Sequence, residues 1–173
     1  MIGVFWNVRG LNGSSKSTRV QELIRAHHPD FICLSESKKE NFTSSQLEAI
    51  DTGLEFVWNW LPATNTAGGV LVGVKEDVID IISCDIHTFS VVLMLRTKND
   101  NSMWRLISVY GSAYDAFKLD FVQELHRVSD MWAGPTIIGG DFNLFRFPNE
   151  KSRGRFDNDW PVIFNDVIDS LDL

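Results

Sequence analysis

The middle of this chain is committed to β-sheet by its pattern. Between Phe56 and Val109 five short runs are apolar or alternate: Phe56 to Leu61, Gly69 to Val74, Val78 to Ile86, Phe89 to Leu95 and Trp104 to Val109. None is long enough to sustain the 3.6-residue period of a helix face, and turn residues separate them. Asn99-Asp-Asn-Ser102 predicts a hairpin turn between the last two. Helical periodicity is confined to the flanks. Thr18 to His27 predicts a helix, with Thr18 and Gln21 as a capping box, Val20, Leu23 and Ile24 on one face, and Pro29 as the stop. Phe117, Phe121, Leu125, Val128 and Trp132 predict a long helix from Asp115 to Trp132, and Pro161 to Leu171 predicts a last one. Ile2 to Trp6, Phe31 to Leu34 and Pro135 to Gly139 read as short buried strands.

The element order is therefore β-α-β, an antiparallel meander, then α-β-α. It predicts an α+β fold with a mixed sheet system and helices outside. At 173 residues, without repeats or a linker, the chain reads as one domain. Apolar residues make up 44% and charged residues 23%, which excludes the disordered and fibrous classes. The 16 Lys and Arg against 23 Asp and Glu leave a net charge of −7. Such a chain does not coat nucleic acid through bulk positive charge, but it can reach phosphates through a metal held by carboxylates. Residues 1–50 carry six basic and five acidic side chains and residues 51–173 carry ten and eighteen, so the acidic excess lies outside the N-terminal segment.

Cys33 and Cys84 each sit in an apolar run and read as buried free thiols, with no zinc spacing around them. No signal segment and no stretch of ~20 apolar residues is present, so the expectation is an intracellular protein without a membrane role. The triplets Asn12-Gly-Ser14 and Asn41-Phe-Thr43 then carry no meaning as glycosylation sites.

Polar residues follow the C-terminal ends of the strands, where open sheets place their sites: Asn7, Glu36, Tyr110, and Asp141 with Asn143. In extended backbone, i and i+2 point the same way, so Asp141 and Asn143 are expected to face one pocket with Phe142 turned into the core. A set of Glu, Asp and Asn is hard-cation chemistry and suits Mg²⁺ or Mn²⁺ better than zinc. Residues of these types also end strands and cap helices for structural reasons alone.

Four ordered motifs carry a resemblance. Asn7-Val-Arg-Gly-Leu-Asn12, Leu34-Ser-Glu-Ser-Lys38, Val109-Tyr-Gly111 and Ile138-Gly-Gly-Asp-Phe-Asn143 resemble the endonuclease/exonuclease/phosphatase (DNase I-like) superfamily. Trp6 to Leu11, and Gly140 to Leu144 followed by Glu150-Lys-Ser-Arg153, look most like the endonuclease domains of plant LINE-type (non-LTR) retrotransposons. The resemblance implies a four-layer α/β/β/α sandwich of two mixed sheets flanked by helices. It implies metal-assisted, in-line hydrolysis of a phosphodiester in DNA, with Mg²⁺ (alternatively Mn²⁺) as cofactor. Glu36 would be the principal metal ligand, helped by Asn7. Tyr110 would hydrogen-bond a phosphate oxygen, Asp141 would position or activate the water, and Asn143 would steady the phosphate. A nuclear location is implied by the family only, and no protein partner is implied.

The superfamily places a further Asp and a terminal Ser-Asp-His motif downstream. None of His27, His28, His87 and His126 lies in such a setting. The expectation is a domain incomplete at its C-terminus, with strands missing from the second sheet, an open edge and an apolar face. Such a chain would be inactive or strongly impaired alone, since a positioned acid/base contributes ~10²–10⁴-fold. Two other readings stay open: the same superfamily acting on abasic DNA, a phosphoinositide or a sphingolipid headgroup, and a non-catalytic remnant.

Arg9 and Lys38 flank Asn7 and Glu36 as candidate phosphate contacts, and Arg146, Lys151, Arg153 and Arg155 offer a backbone-contacting loop or a solvated one. Gly10-Leu-Asn-Gly-Ser-Ser-Lys-Ser17 is a near miss to a phosphate-binding P-loop, with Ser15 where the second glycine belongs. Lys16 is therefore expected in a solvated loop. Trp58 and Trp60 read as sheet packing, and His27-His28 as exposed cations at a helix end.

Overall fold

A computed structural model of the chain describes residues 1–51, 53, 55–64, 68–147, 150 and 159–171. They fall into two compact units, Met1–Tyr110 with Gly134–Asp141, and Gly111–Ala133 with Phe142–Leu173.

The first unit holds eight strands in two mixed sheets. β1 (Gly3–Asn7), β2 (Phe31–Ser35), β3 (Phe56–Leu61) and β4 (Val70–Lys75) form one sheet in the order β1-β2-β4-β3. β5 (Ile79–Ile86), β6 (Ser90–Thr97), β7 (Met103–Tyr110) and β8 (Thr136–Asp141) form the other in sequence order. β1–β2 and β7–β8 are parallel, and every other pair is antiparallel. The architecture is the α+β sandwich of two mixed sheets with accompanying helices. The β6–β7 hairpin turns where the sequence predicts, with Asn101 left-handed at φ 57° and the Ser102 N–H donating to Asp100 at 3.0 Å.

Burial on both faces explains the continuous apolar runs of β2 and β4. Phe31, Cys33 and Val72 face the second sheet and pack on Leu93, Leu95 and Leu106. Ile32, Leu34 and Leu71 face the opposite way, onto Val20, Leu23 and Ile24 of the helix α1 (Ser14–His27). Each such fully buried side chain contributes roughly 1.5–3 kcal/mol over an exposed one. Trp58 and Trp60 belong to this helix-side core, with Trp60 edge-on to Phe42 at 5.6 Å.

Several boundaries differ from expectation for local reasons. α1 begins at Ser14, with Gly13 as an N-cap that makes no side-chain hydrogen bond. Thr18 is thus inside the helix. The capping box belongs to Thr43 and Gln46, which open the short helix α2 (Ser44–Glu48). α1 ends at His27, and His28 caps it at φ 45°. β1 is an edge strand, not a buried one, and Phe5 on it is exposed. Cys84 is exposed too: β5 is the other sheet's edge, and a bulge between Ile81 and Ser83 breaks its alternation.

In the second unit a 3₁₀ turn (Asp115–Phe117) precedes α3 (Lys118–Asp130), so the long helix is shorter than predicted, with Phe117 exposed and Trp132 beyond its end. α4 (Asp159–Ser170) starts before Pro161, because proline is tolerated in a first turn. Phe142 lies between Phe121 (6.2 Å) and Phe164 (5.4 Å), an aromatic core for this unit. No helix among the described residues is long and apolar enough to cross a membrane.

The two thiols differ in environment. Burial pushes Cys33 up to about 12, with the Ser108 hydroxyl acting the other way. Partial burial and the neighbouring Asp85 raise Cys84 more modestly. At pH 8 a thiol reagent is expected to modify Cys84 in the native chain and Cys33 only after unfolding; two fast thiols would contradict this. Cys33 holds its proton when folded and loses it when unfolded above the ordinary value of 9.0, so stability falls as pH rises past that value. The urea midpoint should be lower at pH 10 than at pH 8, and Cys33→Val should shrink that difference.

Candidate active site

The two parallel pairs place four strand ends in the first unit. Asn7 stands opposite Ser35 at the ends of β1 and β2, and Tyr110 opposite Asp141 at the ends of β7 and β8. One side chain joins the two sheets there. The Asn7 Nδ2 amide donates to Asp141 Oδ2 at 2.6 Å, while Asn7 Oδ1 accepts from the Arg9 backbone N–H at 3.1 Å. Asn7 therefore uses both ends of its amide: one turns the chain, the other orients a carboxylate.

The loops beyond β1 and β2 continue the ladder of the strands. Val8 donates to Ser35 O (3.0 Å), Gly10 to Glu36 O (2.7 Å) and Leu11 to Ser37 O (2.9 Å). On the far side Ser37 donates to Gly69 O (3.1 Å) and Lys38 to Gly68 O (3.0 Å). The Glu36 loop is thus held between two neighbours. Its geometry is strained: Arg9, Glu36 and Lys38 adopt φ of 51°, 57° and 56°. Left-handed backbone at such residues costs on the order of 1–3 kcal/mol each and clusters at functional sites. Gly68 and Gly69 take φ of 76° and 82° without that cost, and a Cβ on Gly68 would lie 3.3 Å from the Tyr110 ring. The Gly-Gly pair before β4 was the available sequence signal for this support, and starting the strand at Gly69 missed it.

The Glu36 carboxylate lies 3.7 Å from Lys38 Nζ, a loose and partly exposed pair that contributes little stability. Arg9 is exposed. Lys16 is not in a solvated loop: it lies in α1, and its Nζ donates to Val8 O at 2.9 Å.

Other candidates belong to the second unit. The strand ends at Asp141, and Asn143 is left-handed at φ 49°, so the alternation of extended backbone does not reach it. Its Nδ2 donates to Gly111 O at 2.8 Å. Arg146 donates through Nε to Asn165 Oδ1 at 2.7 Å and receives Asn165 Nδ2 on its carbonyl at 3.1 Å, which ties it to α4. Lys151, Arg153 and Arg155 lie outside the described residues.

Among the described residues, no group of three or more His, Cys, Asp and Glu side chains is gathered closely enough to hold a metal. A Mg²⁺ ion keeps several waters and needs only one or two carboxylates. The Glu36 and Asp141 carboxylates and the Asn7 amide oxygen fit such a cation, with no thiolate or imidazole among them.

The model of the Endonuclease/Exonuclease/phosphatase family matches residues 4–168. No curated protein sequence matches the chain significantly. Among solved structures, the AP endonuclease LMAP from Leishmania major aligns with a TM-score of 0.72 at 15% identity, over 98% of this chain and 65% of that one. The human Nocturnin catalytic domain with bound sulfate aligns at 0.61 and 18% identity, over 82% and 64%. D. rerio TDP2 complexed with a single-strand DNA product aligns at 0.61 and 12% identity, over 83% and 60%. At these identities the likeness shows the fold. The chain spans just under two thirds of the length of these three structures.

Asn7→Ala removes a hydrogen bond to a charged acceptor and is expected to lower stability by about 1–2 kcal/mol in urea denaturation. An unchanged midpoint would show that the bond to Asp141 does not hold the strand ends together.

Proposed function

Because the chain belongs to the endonuclease/exonuclease/phosphatase family, whose members hydrolyse phosphoester bonds, we propose that it is a divalent-metal-dependent phosphodiesterase that nicks DNA by in-line attack of water. The observation that carries this reading is the Asn7–Asp141 bond at 2.6 Å, which aims a carboxylate at the strand ends beside Tyr110. Glu36, with the Asn7 amide oxygen, would hold Mg²⁺ or Mn²⁺; when bound, the cation offsets charge building on the phosphoryl oxygens. Asp141 accepts the proton of the attacking water, with Asn7 fixing its orientation. The Tyr110 hydroxyl donates to a phosphate oxygen, and Arg9 and Lys38 supply cationic contacts to the flanking backbone. Asn143 enters as a further phosphate contact on the motif resemblance, and Arg146 and Arg153 on the basic cluster that follows the Asp-Phe-Asn segment in the sequence.

DNA is favoured as substrate by two of the structural neighbours, an AP endonuclease and a TDP2 holding a DNA product. The LINE-type origin rests on the wording of Trp6 to Leu11 and Gly140 to Leu144, and a nuclear location rests on the family. We read residues 1–173 as parts of one domain, because a single family model spans both units. The 173 residues contain no Ser-Asp-His.

Nicking of supercoiled plasmid tests the reading. The chain is expected to show slow, Mg²⁺-dependent conversion to open circles that EDTA stops, Glu36→Ala abolishes and Asp141→Ala lowers by ~10²-fold or more. Nicking undiminished in Glu36→Ala would contradict the assigned metal site.

A further inference from the structure

The P-loop-like segment from Gly10 to Ser17 has no part in the reaction described above, yet its lysine is placed with a purpose. Lys16 occupies the first turn of α1, where exposed N–H groups make a cation unfavourable, and no acidic side chain in that turn offsets it. Its ammonium turns back instead and donates to the Val8 carbonyl at 2.9 Å in a partly buried setting. A charged donor makes a bond roughly twice as strong as a neutral one. Val8 is itself 2% exposed, and its N–H donates to Ser35 O at 3.0 Å. The residue after Asn7 is therefore fixed through both of its backbone groups.

That grip matters because the next residue is strained. Arg9 sits at φ 51° while its N–H donates to Asn7 Oδ1 at 3.1 Å. Left-handed backbone at an arginine relaxes unless its surroundings over-determine it. We propose that Lys16 is a positioning residue. By holding the Val8 carbonyl it keeps the turn from Asn7 to Gly10 closed, so that the Asn7 amide stays presented to Asp141. Lys16 touches neither substrate nor metal and acts through Val8 and Asn7. The catalytic consequence rests on the function proposed above; the structural consequence does not.

The test uses the full ¹⁵N-labelled chain as wild type, Lys16→Met and Lys16→Arg. In wild type the Asn7 side-chain amide protons should be spread apart and slow to exchange. Lys16→Met should collapse that signal towards a free asparagine and speed its exchange by ~10-fold or more, as expected for loss of a charge-assisted bond. Lys16→Arg, which retains a charged donor, should preserve the signal. In plasmid nicking, Lys16→Met should lower kcat by ~10-fold with KM for DNA little changed, and Lys16→Arg should restore it. An Asn7 signal unchanged in Lys16→Met, or lost in folded Lys16→Arg, overturns the proposal. Should Lys16→Met not fold, Lys16→Gln takes its place: a weakened Asn7 signal supports the grip and an unchanged one refutes it. Absence of nicking in wild type would count against the phosphodiesterase reading, while the Asn7 signal would still decide the role of Lys16.

Discussion

The hydrogen bond from Asn7 to Asp141 is the contact on which the site depends. Between the two sheets lies an apolar core, and apolar packing is strong but non-directional. It holds the sheets together without fixing how the end of β1 meets the end of β8. A short bond to a carboxylate supplies that direction. It spans 134 positions of sequence and links one sheet's edge strand to the other's. Close approach beneath it is permitted by Gly139, where a Cβ would lie 2.5 Å from the Phe5 ring.

From that point outward the site is built of backbone. Main-chain hydrogen bonds run from the loop after β1 to the loop after β2 and on to Gly68 and Gly69. Three long, charged residues in this assembly sit in left-handed conformations that a free loop would abandon. The ladder on both sides of Glu36 supplies the constraint that keeps them there. The strain and its restraint lie together at the strand ends.

Much of the sheet was legible because buried strands write themselves as short apolar runs. β3 matches its expected bounds, Phe56–Leu61, and the turn at residues 99–102 declares itself through its own side chains. Local signals misled where two sites share one signature: Thr18 with Gln21 was read as the capping box, but Thr43 with Gln46 carries the same spacing and forms it, while Gly13 caps the first helix with its backbone alone. Cys84 was misjudged because a bulge is invisible in a pattern of period two. Asn143 escaped the alternation argument because its left-handed φ follows from contacts of the folded chain. The pairing of Asn7 with Asp141 was not encoded in any local window. Motif resemblance assigned both residues to one site, and the topology supplies the physical reason, since two parallel pairs present their C-terminal ends.

The central claim is that Asn7, Glu36 and Asp141 gather around one divalent cation. Paramagnetic broadening by Mn²⁺, followed residue by residue in the NMR spectrum of the labelled chain, addresses it without requiring turnover. At Mn²⁺ well below the protein concentration, the signals of residues 7–10, 36–38 and 141 should broaden first and together. Broadening that begins instead around exposed carboxylates such as Asp115 or Asp169, with those signals left sharp, would contradict it.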